Sequence, residues 1–336
     1  MKKTLIFATT LLTLLIAACK NEDPIVEPTP TIDQNVTAAK NIAYIENDTL
    51  AKHKLDVYYK KGANNRPVIL FIPGGAWRQG DKDKYEVLAR TLDSVNHYTV
   101  VVANYRLSNP DDGNAKHPEH IQDVASAFKW VKQNIVNYGG SSTAIFMFGQ
   151  SAGGHLVSLL AADPQYLSAV GCALSDVKGV ITMSGVYELD QLAQFPDNEL
   201  GLTAEEVLMY KAILANAFGS YGVDVTVPAS PYTYVSNSQP PFLIIYSELD
   251  MPGFAEDASN FYMKFGQVGS TNTTIKKLYQ TDYSPQTWQE ATLMAAEEPV
   301  MADYIGHYAE VVAINPNDRN LVPTTWIIEF VDRNTK

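Results

Sequence analysis

Short β-rich runs alternate with longer stretches of helical period along most of the chain. The β-rich runs are HKLDVYY (53–59), VILFI (68–72), TVVVANY (99–105), AIFMFG (144–149), GVITMSG (179–185), PFLIIYS (241–247) and TTIKKLY (273–279). The central ones are almost continuously apolar, as strands covered on both faces are, which predicts a mostly parallel sheet. Between them the pattern predicts helices at 82–95, 119–137, 152–162, 256–266 and 322–332. In the second of these, Ile121, Val124, Ala125, Phe128, Val131 and Ile135 recur at helical spacing. Strands and helices in this order place helices on both faces of one central sheet, an α/β fold. Residues 187–235 and 281–306 fit the alternation badly. Excursions of that length in a compact domain are commonly functional covers, so both are expected as lid or pocket insertions. No repeat and no further linker divides 41–336, which reads as one domain.

The N-terminus does not belong to that domain. Lys2 and Lys3 precede the apolar run LIFATTLLTLLIAA, which is too short for a permanent membrane span, and Cys19 follows at once. The end of the run, Ile16-Ala17-Ala18-Cys19, resembles the lipobox of bacterial lipoproteins. That resemblance implies a signal peptide over 1–18, a lipidated Cys19, and a protein anchored at the cell envelope through its N-terminal lipid only. Residues 19–40 then read as a flexible tether, polar and interrupted by three prolines. With Cys19 used for lipid, Cys172 is left alone, so no internal disulfide is expected. Apolar residues make up 46% of the chain, ample for a sizeable core, and the net charge is −12. A chain that acidic is a poor electrostatic partner for nucleic acid, and none is expected.

The informative segment is AIFMFGQSAGGHLVSLLAA, residues 144–162. A buried strand delivers Gly149-Gln150-Ser151-Ala152-Gly153 and an apolar helix follows directly, the strand–turn–helix setting of a nucleophilic serine on a sharp turn. A serine hydroxyl needs a base and an orienting acid, and in such folds they follow it in the order acid, then histidine. Downstream of Ser151 only His155 and His307 are available. His155 lies one helical turn past the serine and reads as a packing residue, which leaves His307, in YIGHYAEVVAI, as the expected base. Asp250, released at the end of PFLIIYSELD, is the expected acid; Glu248 is its rival, with Asp257 and Asp303 as outsiders. The amide of Ala152, directly after the nucleophile, is an expected oxyanion donor.

From about residue 53 to 330 the chain resembles α/β-hydrolase carboxylesterases, a group that includes hormone-sensitive-lipase-like esterases, bacterial feruloyl and acetyl esterases and kynurenine formamidases. The resemblance rests on Gly74-Gly75-Ala76-Trp77 with Gly80-Asp81-Lys82, on Asn104-Tyr105-Arg106-Leu107, on Pro118 to Asp123 leading into Trp130, and on Gly149 to Gly154. It implies an α/β-hydrolase fold and a serine esterase that forms an acyl-enzyme on Ser151 with His307 and Asp250. Gly74 and Gly75 are implied as further oxyanion donors, with Trp77 and Gln150 lining the substrate site and a packing role for Trp77 equally open. No metal and no organic cofactor is implied. The substrate would be a small ester or an acylated polysaccharide; an arylformamidase, or a catalytically silent binding module on the same fold, are the alternatives. Two positions depart from the family pattern: Pro73 stands where histidine is usual, and Asn104 where aspartate is.

Overall fold

The computed structural model describes residues 36–194, 199–296, 304–315 and 322–336. Cys19, Asp303 and the leader lie outside them. Eight strands form one sheet: β1 (Val36–Ala43), β2 (Lys54–Lys60), β3 (Arg66–Ile72), β4 (Thr99–Ala103), β5 (Gly140–Gln150), β6 (Val177–Met183), β7 (Phe242–Ser247) and β8 (Thr273–Leu278). Their order is β1-β2-β4-β3-β5-β6-β7-β8. The pairs β1/β2 and β2/β4 are antiparallel, and every other pair is parallel.

The alternating side chains of β3 explain why its sequence is apolar throughout. Val68, Leu70 and Ile72 enter one core layer, while Ile69 and Phe71 enter the layer on the opposite face. Helices α2 (Glu119–Asn134), α3 (Ala152–Ala162) and α8 (Phe254–Gln267) contribute to the first layer; α1 (Glu86–Asn96) and α11 (Val322–Thr335) contribute to the second. This is the expected sheet with helices on both faces. The chain leaves β3 for β4 on one side and returns to β5 on the other, so strand order reverses between β3 and β5. Open α/β sheets present their ligand crevice at the carboxyl ends of strands flanking such a reversal. Ile72 is paired with Gly149, so Pro73–Gly75 and Gln150–Ser151 leave the sheet side by side.

Both expected excursions are largely helical. Within 187–235 lie α5 (Leu189–Ala193), α6 (Ala204–Phe218) and α7 (Val223–Ala229); from 281 onward lie α9 (Pro285–Ala296) and α10 (Ile305–Val312). Between β5 and β6, α4 (Pro164–Ala169) completes the α-helices among the described residues. The structure corrects one expectation. Residues 36–40, assigned to the tether, are the first part of β1, which pairs with β2 from Val36↔Lys60 onward. Only Val36 in that strand is fully buried, because an edge strand does not need the apolar run that marks a central one. His307, the expected base, is the third residue of α10.

Candidate active site

Ser151 sits between the end of β5 and the first residue of α3, with φ 53° and ψ −122°. A non-glycine residue held there stores strain of about 1–3 kcal/mol, and its surroundings hold it firmly. Its amide donates to Met183 O at 2.9 Å, and its carbonyl accepts from the His155 amide at 2.9 Å. Gly153 is required because a Cβ there would lie 2.0 Å from Ile72 O. That contact packs the first turn of α3 against the end of β3. The Ser151 side chain is thereby pushed to the rim of the sheet.

The loop after β3 meets the serine directly. A Cβ on Gly74 would stand 3.0 Å from Ser151 Cβ and 2.3 Å from Gln150 Oε1, so only glycine fits this approach. Pro73 keeps the loop in place through its carbonyl, which accepts from Tyr105 Oη at 3.2 Å. Asn104 serves the same loop from behind: its Oδ1 accepts from the Lys82 amide at 2.7 Å, and its Nδ2 donates to Asp81 at 3.0 Å. Both departures from the usual pattern are therefore built into the loop's anchoring. Ala76 and Trp77 both have positive φ, 50° and 56°, which turns the chain back on itself.

Burial pushes the phenol of Tyr85 up to about 12. Among the described residues no backbone carbonyl accepts from the Gly74 amide, an expected oxyanion donor. Among the described residues no acceptor takes the amides of Gly75, Ala76 or Ala152. The last is the first amide of α3, where the positive end of the helix dipole lies.

His307 and Asp250 come together as expected. His307 Nδ1 lies 2.7 Å from Asp250 Oδ1, and both side chains are buried. Asp250 has further donors: the Met251 amide at 2.8 Å, the Ser247 amide at 3.3 Å and the hydroxyl of Ser184. Its rivals are placed elsewhere. Glu248 is exposed and accepts from the Gln280 amide at 3.1 Å. Asp257 is buried beneath Tyr187, whose amide it accepts at 2.7 Å, and burial pushes it up to about 8. His307 Nε2 faces the side-chain nitrogen of Gln150 at 3.3 Å, and no hydrogen bond joins it to Ser151 Oγ among the described residues.

Two expected substrate-lining residues turn out to be buried supports. Trp77 is 3% exposed, packs edge-on against His155 and Phe218, and donates from Nε1 to His155 Nδ1 at 3.2 Å. That is the packing role. Gln150, 6% exposed, extends under His307 and donates to the His307 carbonyl at 3.1 Å and to Glu310 Oε1 at 3.3 Å. His155 is fully buried; its Nε2 donates to Ala229 O at 2.8 Å, and burial pushes its pKa down to about 3. It is a neutral strut between α3 and the end of α7. Sequence reasoning missed Ser184 and Glu310, which adjoin the acid. Glu310 had one signal, its position three residues after His307 on a helix; Ser184 had none.

Comparison with known proteins agrees with this architecture. The BD-FAE family model matches residues 55–264. The probable carboxylic ester hydrolase LipM of Mycobacterium tuberculosis is 31% identical over 222 residues, covering 65% of this chain and 49% of that protein. The chain therefore spans about half the length of the curated relatives it matches. Among solved structures, esterase B from Lactobacillus rhamnosis superimposes with a TM-score of 0.67 at 20% identity, over 91% of this chain and 88% of that one. A truncated carbohydrate esterase from gut microbiota gives a TM-score of 0.59 at 22% identity, over 75% and 90%. The shared architecture is the α/β-hydrolase fold.

Proposed function

The chain belongs to the BD-FAE family, and on that premise we propose that it is a serine hydrolase of carboxylic esters. The observation that carries the reading is the convergence of a strained Ser151 and a buried His307–Asp250 couple on the strand ends flanking the order reversal. In the proposed reaction, substrate binding moves the His307 ring or the serine rotamer so that Nε2 receives the Ser151 proton. Catalytic hydrogen bonds are often loose in free enzymes and tighten only with substrate. Ser151 Oγ attacks the ester carbonyl while Asp250 holds the Nδ1–H tautomer and stabilises the imidazolium. The tetrahedral oxyanion is received by amides of Gly74, Gly75, Ala76 and Ala152, for which the described residues supply no backbone acceptor. His307 returns the proton to the leaving alcohol, and water then cleaves the acyl-enzyme by the same steps.

Ser151→Ala is expected to abolish p-nitrophenyl acetate hydrolysis and fluorophosphonate labelling without changing the circular dichroism spectrum. Undiminished hydrolysis by that variant would sink the assignment. The contact of His307 Nε2 with Gln150 favours one other reading, a silent binding module, which requires that the wild-type chain resist the fluorophosphonate. For the substrate we favour a small ester or an acylated polysaccharide, on the ground that the leader and Cys19 suit an envelope-anchored protein. Cys19→Ala is expected to release the protein from membranes; continued retention there would refute the lipid anchor.

A further inference from the structure

Ser184, the first residue after β6, has a positive φ of 45°. Its amide is fixed to Ile245 O at 2.8 Å, and its buried hydroxyl touches two carboxyl groups. One contact is to Asp250 Oδ2, and the other is to Glu310 Oε2 at 2.6 Å. Glu310 is fully buried and reaches Gln150 with its other oxygen, at 3.3 Å. The fold thus joins Gln150, Glu310, Ser184, Asp250 and His307 in one closed ring of contacts, since Gln150 also bonds the His307 carbonyl.

A hydroxyl has one hydrogen, so it cannot donate to two carboxylates. One of the two acids must carry a proton and donate to Ser184 Oγ. Asp250 already accepts from two backbone amides and faces His307 Nδ1, an arrangement suited to a carboxylate. Glu310 has one amide donor, and the titratable groups whose charge it feels or perturbs are Asp250 and the buried tyrosines Tyr85, Tyr187 and Tyr283, none of them a cation. The proton therefore belongs on Glu310. We propose that Glu310 is a positioning residue of the site, a neutral carboxylic acid whose O–H donates to Ser184, committing the Ser184 hydrogen to Asp250, while its other oxygen secures Gln150 beneath His307. Burial, together with the charge of Asp250, pushes Glu310 well above the usual carboxylate range. Strain at a residue that contacts no substrate in the proposed reaction is explained as well: the Ser184 backbone aims its hydroxyl between the two acids.

This inference rests on reading Asp250 and His307 as acid and base, and its test separates the two. Glu310→Ala and Ser184→Ala are each expected to lower kcat/KM for p-nitrophenyl acetate by about 100-fold, mostly in kcat, because the base loses its alignment. Glu310→Gln, which keeps a neutral donor and an acceptor oxygen, is expected to recover most of that loss. The low-field proton NMR signal of His307 Nδ1–H, assigned by its disappearance in His307→Gln, is expected to shift in the two alanine variants and to return in Glu310→Gln. If Glu310→Ala does not fold, Ser184→Ala and Glu310→Gln carry the comparison. A folded Glu310→Gln as impaired as the alanine variants would overturn the neutral-donor assignment, and alanine variants with wild-type kinetics and NMR signal would overturn the role itself. Full activity in Ser151→Ala would instead defeat the underlying esterase reading, while the NMR arm would still report on Glu310.

Discussion

Two buried histidines in this molecule carry a carboxylate on Nδ1, and only one of them is placed to exchange a proton. His307 Nδ1 meets Asp250 at 2.7 Å and His53 Nδ1 meets Asp48 at 2.6 Å, and the residues are 5% and 4% exposed. They differ on the other nitrogen. His53 Nε2 meets a second carboxylate, Asp123, at 3.1 Å, and Asp123 is itself held by the guanidinium of Arg106. Among the described residues His307 Nε2 meets only the amide nitrogen of Gln150. Burial alone would lower the pKa of His53, but its contacts with Asp123 and Asp48 outweigh that and raise it. His53 is thus held between two carboxylates, a cross-link from the residue before β2 to α2. An acid on Nδ1 orients a histidine; what stands at Nε2 decides whether it works as a base or as a strut.

The sharpest way to break this comparison is to make the same change on both Nδ1 partners. Asp250→Asn is expected to reduce kcat/KM by about 10^4-fold, since the amide favours the wrong tautomer while preserving shape. Asp48→Asn is expected to leave kcat/KM within about twofold, because its histidine takes no part in the chemistry. Steady-state kinetics on both proteins, with thermal melts to verify folding, decide the matter. A large loss in Asp48→Asn, or none in Asp250→Asn, would mean that the two couples have been assigned the wrong way round.

How much of this could be read beforehand follows the physics of each signal. Ser151 was readable because the elbow imposes local rules: a strand before, a helix after, and Gly153 where the turn touches β3. Asp250 and His307 were readable by chain order, although they lie 57 residues apart. The first strand was not readable, since edge position relaxes the apolar requirement, and VTAAKNIA looks like linker. Trp77 was ambiguous because an aromatic beside a Gly-Gly turn suits either a pocket wall or a core, and only its bond to His155 separates them. Glu310 and Ser184 depend on contacts between α10, the end of β6 and the loop after β7. No local pattern encodes such a meeting, and a lone glutamate on a helix ordinarily reads as surface.

A smaller effect sharpens the comparison through pH. Because His53 binds its proton more tightly when folded than its usual 6.5, its contribution to stability is complete below that pH and is lost as pH rises through the raised folded value. Its partners act at the other end: Asp48 and Asp123 are both held below 3.8, so their contribution is present above that pH and lost as pH falls through the lowered values. Burial lowers His117, His120 and His155, so those three penalise the acid side below 6.5 and do not affect the alkaline side. The difference in Tm between wild type and His53→Gln is therefore expected to be greatest near pH 6 and to shrink toward pH 9. A difference that stays constant across that range would show that His53 is held neutral and that the two-anion clamp is not charged.

The smallest expected effect concerns another buried histidine, a neutral counterpart of both. His155 Nε2 donates to Ala229 O, so its Nδ1 must be an acceptor, and the Trp77 indole is the donor that satisfies it. Trp77→Phe preserves most of the aromatic packing against Phe218 but leaves that nitrogen buried without a donor. An unsatisfied buried acceptor costs about 1–3 kcal/mol, so denaturant unfolding is expected to show a loss of that size. Because Trp77 is shut away behind the loop that carries Gly75 and Ala76, KM for p-nitrophenyl acetate is expected to stay within about twofold and kcat to fall only as far as the loop loosens. The opposite result, unchanged stability with a large rise in KM, would return Trp77 to the substrate wall. It would also mean that the neutral histidine beneath the loop, rather than the indole, sets the position of those amides.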